Sequence, residues 1–175
     1  MRASKTVAPG LGVVALGIAL GLAAPAQAQQ VSTLGTSQDW TAYTMTENGQ
    51  KVCYIASQPK KDEGNYKKRG DIFALITHRP AQNQYYVVTI YAGYAYRSGA
   101  QVTLQVDRNS FQLFTEGETA WAQDDTDRKI VQAMRSGHSM VVKGTSSRGT
   151  TTTDTYSLMG VTAALSTIDK ACNAP

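Results

Sequence analysis

Residues 138–165, HSMVVKGTSSRGTTTTDTYSLMGVTAAL, contain the patterns that decide the fold of this chain. They predict a strand over His138–Lys143, a polar turn over Gly144–Gly149 and a Thr-rich strand over Thr150–Leu158. A closing helix is predicted next, because apolar positions recur along one helical face: Val161, Leu165, Ile168 and Cys172. The segment therefore predicts a β-hairpin followed by a helix that brings its cysteine against the sheet.

The stretches before this segment repeat the short-strand pattern. Trp40–Met45 and Lys51–Ser57 flank an Asn-Gly dipeptide at residues 48–49, which favours a tight hairpin turn. Tyr85–Tyr96 is apolar on both faces, as is typical of a strand at the centre of a sandwich. Gly93 within it indicates a bulge or a close backbone contact. Short strands separated by turns roughly every eight to twelve residues predict an all-β sandwich with small helical additions.

A short helix is predicted over Thr126–Arg135. Asp124 or Asp125 can cap its first turn, and Gly137 ends it. The same carboxylates, together with Asp127, also suggest calcium, but they lack the glycine and the distant glutamate of a calcium loop. Capping and compensation of the helix dipole explain them with fewer assumptions, and we predict no metal site or cofactor.

The first 28 residues predict a cleaved secretory signal peptide. Arg2 and Lys5 form a positive start, Leu11–Ala24 is apolar, and the small residues at 26–28 fit a cleavage point before Gln29. The apolar run is too short to span a bilayer, and the mature chain is predicted to have no transmembrane segment. A twin-arginine pair is absent, which favours Sec-type export in an unfolded state.

The domain organisation follows from that cleavage. Residues 29–38 are predicted to be a flexible lead-in, and residues 39–175 a single β-sandwich domain. The expected location is periplasmic, with outer-membrane association or secretion left open.

The charge balance does not by itself require a polyanionic partner. The chain has 17 basic and 13 acidic residues, and cleavage leaves 15 basic residues and a net charge of +2. Neither nucleic acid nor anionic lipid is therefore required as a partner. A local positive patch remains in residues 59–70, PKKDEGNYKKRG, which is predicted to be a solvated surface loop. Docking of this patch on an anionic surface, such as lipopolysaccharide or a host glycan, stays open.

The chain has two cysteines, Cys53 and Cys172, and both lie in the mature part. An even pair in an exported chain predicts a disulfide, because the compartment beyond the inner membrane is oxidising. The bridge is expected to close nearly the whole domain.

The hairpin also contains the residue types of a nucleophilic triad: Ser146, Ser147, His138 and Asp154. No GxSxG motif surrounds either serine, because Arg148 stands four places after Gly144. A small periplasmic hydrolase using this Ser/His/Asp set is the alternative hypothesis. The favoured interpretation is a polar turn that forms a candidate contact loop: Ser146, Ser147 and Arg148.

Three other patterns have a structural explanation that is preferred. Arg69-Gly70-Asp71 matches a short integrin-binding motif, but a basic loop that meets a strand explains it better. His78 and His138 are far apart in sequence with no acidic or cysteine partner in register, so a transition-metal site is not expected. The tyrosines could stack on carbohydrate, but core and rim packing is favoured for them: Tyr85, Tyr86, Tyr91, Tyr94 and Tyr96.

Several of these stretches together resemble the invasion-associated locus B family. They are KVCYIAS, THRPAQNQYYVVTIYAGYAY, FQLFTEGETAWA and MVVKGTSSRGTTTTDTYSLMGVTAALSTIDKAC. The likeness covers nearly all of Trp40–Cys172 and is most specific over Val141–Leu165. It implies an exported protein of Gram-negative bacteria with an immunoglobulin-like β-sandwich and a cysteine pair, and it brings no catalytic residues. The family name comes from members linked to entry into host red blood cells.

The expected function is therefore that of an exported envelope binding or interaction module. Its expected partner is a protein or glycan of the envelope or of a host surface, in support of host-cell invasion or of envelope function.

Overall fold

The computed structural model describes residues 30–123 and 125–175. The predicted signal peptide lies outside these residues, as does Asp124. The described strands are β1 (Ser32–Ser37), β2 (Trp40–Glu47), β3 (Gln50–Ser57), β4 (Lys61–Gly64), β5 (Phe73–Arg79), β6 (Gln84–Tyr91), β7 (Val102–Val106), β8 (Asn109–Glu116), β9 (Thr119–Trp121), β10 (Ser139–Thr145) and β11 (Thr151–Ser157). The helices are α1 (Thr126–Ser136) and α2 (Val161–Ala171), and Pro80–Gln82 form a single 3-10 turn.

The strands form one antiparallel sheet that folds into two layers. Their order is β1-β2-β3-β5-β6-β9-β8-β7-β10-β11-β4. β8 belongs to both layers, because its first part pairs with β7 through Leu113 and its last part pairs with β9 from Phe114 onward. The inner faces of the two layers bury one continuous apolar core, which includes Ile55, Ile76 and Ile90 from one layer and Leu104, Met140 and Tyr156 from the other. The predicted all-β sandwich is confirmed.

The helix after the hairpin closes the domain as predicted. α2 packs on β1, β2 and β3, and its apolar face is buried: Val161, Ala164, Leu165 and Ile168. Cys172 follows the helix and forms the predicted disulfide with Cys53 of β3, with the two Cα atoms 6.1 Å apart. Gly160 begins the helix with a φ of +89°, and a side chain there would collide with the backbone carbonyl of Ser37.

The tight hairpin predicted at residues 48–49 forms between β2 and β3. Asn48 and Gly49 both have positive φ angles, of 51° and 76°, as the two-residue turn of a twisted hairpin requires.

The side chain of Asp125, at the start of α1, makes no capping hydrogen bond. The predicted cap at that position is therefore wrong for Asp125.

Two segments differ from the prediction because each pairs with a distant strand. Residues 29–38 were expected to be a flexible lead-in, but Ser32–Ser37 form β1 and pair with β2. Lys61–Gly64, expected to be loop, form β4 and pair with β11. Both lie at the edges of the sheet, where a strand with exposed polar side chains gains backbone hydrogen bonds without burying an apolar face.

None of the helices in residues 30–123 and 125–175 combines the length and the apolar character that crossing a bilayer requires.

Candidate functional site

A cleft of about 640 Å³ lies where three separate loops meet. The loops are residues 65–70 after β4, residues 93–95 after β6, and residues 146–152 at the β10–β11 turn. The volume falls within the range of about 300–1,000 Å³ that is usual for small-ligand sites. The predicted contact loop and the predicted positive patch therefore form opposite parts of one concavity, which we call the basic cleft.

Backbone contacts hold the three loops together. The N–H of Gly70 donates to the carbonyl of Gly93 at 2.9 Å, and the N–H of Ser147 donates to the carbonyl of Ala95 at 2.8 Å. Gly93 has a φ of +68°, and a Cβ atom there would overlap the backbone of Gly70. The close backbone contact predicted for Gly93 is thus confirmed, and its role is to join two walls of the cleft.

A buried ion pair supports the floor of the cleft. Both terminal nitrogens of Arg69 donate to the carboxylate of Asp154 at 2.6 Å, and its Nε donates to the carbonyl of Ala92 at 2.7 Å. The guanidinium also lies 5.5 Å from the ring centre of Tyr66 and 4.9 Å from that of Tyr94. Burial disfavours the charge on Arg69, but the hydrogen bonds and the charge of Asp154 outweigh burial and raise the pKa of Arg69.

This pair explains the Arg-Gly-Asp tripeptide. The side chain of Arg69 is only 3% exposed, and each of its three nitrogens donates a hydrogen bond within the domain. It cannot insert into a receptor pocket without leaving Asp154 buried and unpaired, so the integrin interpretation fails on geometry.

The rim of the cleft has uncompensated positive charge. Lys67, Lys68 and Arg148 are exposed and line the cleft, and none of the described lining residues is a carboxylate. The Tyr66 hydroxyl donates to Asp62 at 2.7 Å, and this hydrogen bond raises its pKa. Burial raises the pKa of Tyr94. Both phenols are therefore neutral at physiological pH, and the cleft carries net positive charge.

The proposed catalytic set is not assembled. His138 lies at one end of β10 and Ser146 just beyond the other, a separation of roughly 25 Å at about 3.3 Å per residue. The side chain of His138 is 95% exposed and approaches Asp107 at 3.6 Å instead. Asp154 is engaged by Arg69, and the Ser146 hydroxyl accepts a hydrogen bond from the N–H of Thr150. The hydrolase hypothesis built on these residues is therefore wrong.

The tyrosines separate into two groups. Tyr94 and Tyr96 pack edge to face against each other; Tyr96 is part of the core and Tyr94 packs against it, as the packing interpretation expects. Tyr91 is exposed on the outer face of β6, beside the T-shaped pair Phe114 and Trp121. Tyr91 thus belongs to the rim and not to the core, because it occupies the solvent-facing position of its strand.

Both histidines have acidic partners, contrary to the prediction. His78 is fully buried, with its Nε2 2.9 Å from Asp169 of α2, while its Nδ1 accepts the N–H of Tyr86. Arg135 of α1 bonds the second oxygen of Asp169, so this network links β5 to both helices. Burial lowers the pKa of His78 more than Asp169 raises it, and the ring is neutral. Within the described parts of the chain, no group of three or more potential ligands gathers to hold a metal.

The sequence indicates each of the two polar loops but not that they line the same cleft. Residues 67–69 and 146–148 are each conspicuous as polar loops, yet nothing local indicates that they face each other. The sequence suggests Asp154 only as a member of a triad, because its actual partner, Arg69, lies 85 residues away.

Comparisons with known proteins support the same fold. The family model "Invasion associated locus B (IalB) protein" matches residues 40–169. The crystal structure of invasion associated protein b from Bartonella henselae is similar, with 20% sequence identity and a TM-score of 0.55, over 80% of this chain and 98% of that one. No curated protein sequence matches. Because the family model covers most of the chain and the expected sandwich and disulfide are present, the chain belongs to the invasion-associated locus B family.

Proposed function

We propose that this protein is an exported binding module of the bacterial envelope and that the basic cleft is its ligand site. The observation that supports this most directly is the convergence of the polar turn at residues 146–148 and the basic loop at residues 67–69 on one cleft. Loops held by a rigid sandwich are common sites of binding, because the scaffold presents them without ordering cost.

The construction of the cleft supports binding rather than catalysis. Asp154 is the carboxylate beneath the cleft that could act in catalysis. It is bonded to Arg69, and its side chain is only 2% exposed. The exposed groups are hydroxyls, an amide and cations, which recognise ligands through hydrogen bonds and charge. Host contact and envelope function are both compatible with such a module, and the family membership favours the former.

The test is site-specific photocrosslinking in the native cell, combined with fractionation. A photoreactive residue at Ser147, which is exposed in the cleft, is expected to give a discrete adduct in the envelope or secreted fraction. The matched control is Thr46, an exposed position on β2 that does not line the cleft, and it is expected to give none. Equal crosslinking at both positions, or cytoplasmic retention of the protein, would contradict the proposal.

A further inference from the structure

We propose that the basic cleft binds an acidic oligosaccharide, an inference that rests on the proposed function of the cleft as the ligand site. The ligand chemistry is a short run of sugars bearing carboxylate, sulfate or phosphate groups. Three features of the cleft support this class: the exposed cations on its rim, the hydroxyl and amide groups of its lining, and the ring faces that Arg69 already covers.

The cations on the rim are free to bind a ligand, whereas the one in the floor is not. Lys67 and Lys68 stand on one wall and Arg148 on the other, all exposed. Arg69 is neutralised by Asp154, so its charge supports the architecture and not the ligand. Positive charges on two facing walls complement a ligand whose acidic groups are spaced along its length, rather than a single small anion.

Most residues that line the cleft between the cations are small or carry a hydroxyl or amide group, and they lie alongside the rings of Tyr66 and Tyr94. The lining includes an amide and hydroxyls that match sugar hydroxyls, which both donate and accept hydrogen bonds: Asn65, Ser147 and Thr150. Valine, leucine, isoleucine, methionine and phenylalanine are all missing from the described lining. A lipid acyl chain would gain less there than in a pocket of large aliphatic side chains, because its binding energy comes from burial against apolar surface.

Two common modes of peptide recognition do not fit the cleft. An extended peptide binds by adding a strand to an open sheet edge, but the N–H groups of Ser146 and Ser147 are already bonded to Thr150 and Ala95. A helical peptide requires a groove of large apolar side chains, and the described lining offers no large aliphatic one. The observations therefore favour a glycan over a protein.

Arg69 covers one face of each aromatic ring that lines the cleft. Its guanidinium lies over Tyr66 and Tyr94, so that face of each ring is not open to an uncharged sugar ring. Recognition then rests mainly on charge and hydrogen bonds, so neutral oligosaccharides of the same length are expected to bind much more weakly than acidic ones.

The experiment is isothermal titration of the purified exported protein with defined oligosaccharides. The acidic arms are a heparin-derived octasaccharide (sulfate), an oligouronate (carboxylate) and a deacylated lipopolysaccharide core (phosphate), and maltoheptaose is the neutral arm. Binding of at least one acidic arm without the neutral arm supports the proposal. A preference for the phosphorylated core indicates a ligand of the bacterium's own envelope, and a preference for the sulfated arm indicates a host glycan.

The assignment to the cleft is tested with two charge-matched triple variants. Lys67→Gln/Lys68→Gln/Arg148→Gln is expected to weaken binding about 30-fold, since each exposed ion pair contributes about 3-fold. The control removes three exposed cations outside the cleft: Arg108→Gln, Lys129→Gln and Lys170→Gln. It is expected to stay within about 3-fold of the unmodified protein, because only long-range charge is lost.

Each remaining outcome overturns the proposal. Absence of binding by all acidic arms, equal binding of the neutral arm, or equal weakening by the two triple variants would each refute it. These results are distinguishable from failure of the proposed function: a protein adduct at Ser147 in cells, with no binding of acidic oligosaccharide, refutes the glycan and keeps the cleft as a ligand site.

Discussion

Removal of the Arg69 side-chain charge should destabilise the domain far more than removal of an ordinary surface charge. Arg69→Met leaves the Asp154 carboxylate, which is 2% exposed, without its partner. Breaking a buried pair from one side costs about 3–5 kcal/mol in general. The carbonyl of Ala92 also loses its hydrogen bond from Arg69, so we expect a loss of about 4 kcal/mol in the free energy of unfolding.

The assay is urea unfolding at pH 7, followed by circular dichroism, with the disulfide intact in every variant. With a denaturant dependence of about 2 kcal/mol/M, a loss of about 4 kcal/mol lowers the unfolding midpoint by about 2 M. The matched control is Arg79→Met, because Arg79 is 32% exposed and bonds Glu47 at 3.2 Å. Loss of that surface pair should cost less than about 1 kcal/mol.

A double variant separates the buried charge from general damage. Arg69→Met/Asp154→Leu replaces the ionic pair with apolar groups, so it should recover most of the loss seen in Arg69→Met alone. The reasoning is refuted if Arg69→Met costs no more than Arg79→Met, or if the double variant is less stable than the single one.

Three further outcomes are expected. Cys53→Ser should lower the free energy of unfolding by up to about 5 kcal/mol, because the bridge spans 119 residues, and equal unfolding midpoints with and without reductant would contradict this. Burial raises the pKa of Asp127 to about 6 in the folded protein, so its charge opposes folding above that pH. Below about pH 4 the carboxyl is protonated in both the folded and the unfolded protein, and the effect disappears. Asp127→Asn should therefore raise the melting temperature at pH 7.5 and have much less effect at pH 3.5, and a constant difference across this range would refute the assignment. Gly160→Ala should cost at least about 2 kcal/mol in urea unfolding, because its φ is +89° and the new methyl group meets the backbone of Ser37; an unchanged midpoint would show that the chain relaxes there.

Local patterns predicted the sandwich well, because its strands and its closing helix bury apolar faces at regular spacing. The i, i+4, i+7 and i+11 positions ending at Cys172 correctly indicated which side of α2 faces the core. The Asn-Gly turn was equally decisive, since few residues adopt two successive positive φ angles.

Local sequence patterns could not predict the edge strands or the cleft, and the reason is physical. β1 and β4 bury almost nothing, so their pairing is determined by a free edge elsewhere and leaves no hydrophobic period in the sequence. In the sequence, Arg69 belongs to the basic patch that includes Lys67 and Lys68 and to an Arg-Gly-Asp tripeptide, and neither pattern indicates that its side chain is buried. Its burial depends on Asp154, and no pattern within a short window of sequence reports a partner so distant.

Because the cleft is formed by three loops that are distant in sequence, its formation depends on how much of the sheet has folded. Residues 65–70, 93–95 and 146–152 become one surface only when β10 and β11 have joined the sheet, so a chain truncated before the hairpin has no cleft. If the cleft is the ligand site as proposed, ligand binding requires the β10–β11 hairpin and cannot arise in a chain that ends before it. An immobilised ligand for this cleft would select finished molecules from a mixture that also contains truncated ones.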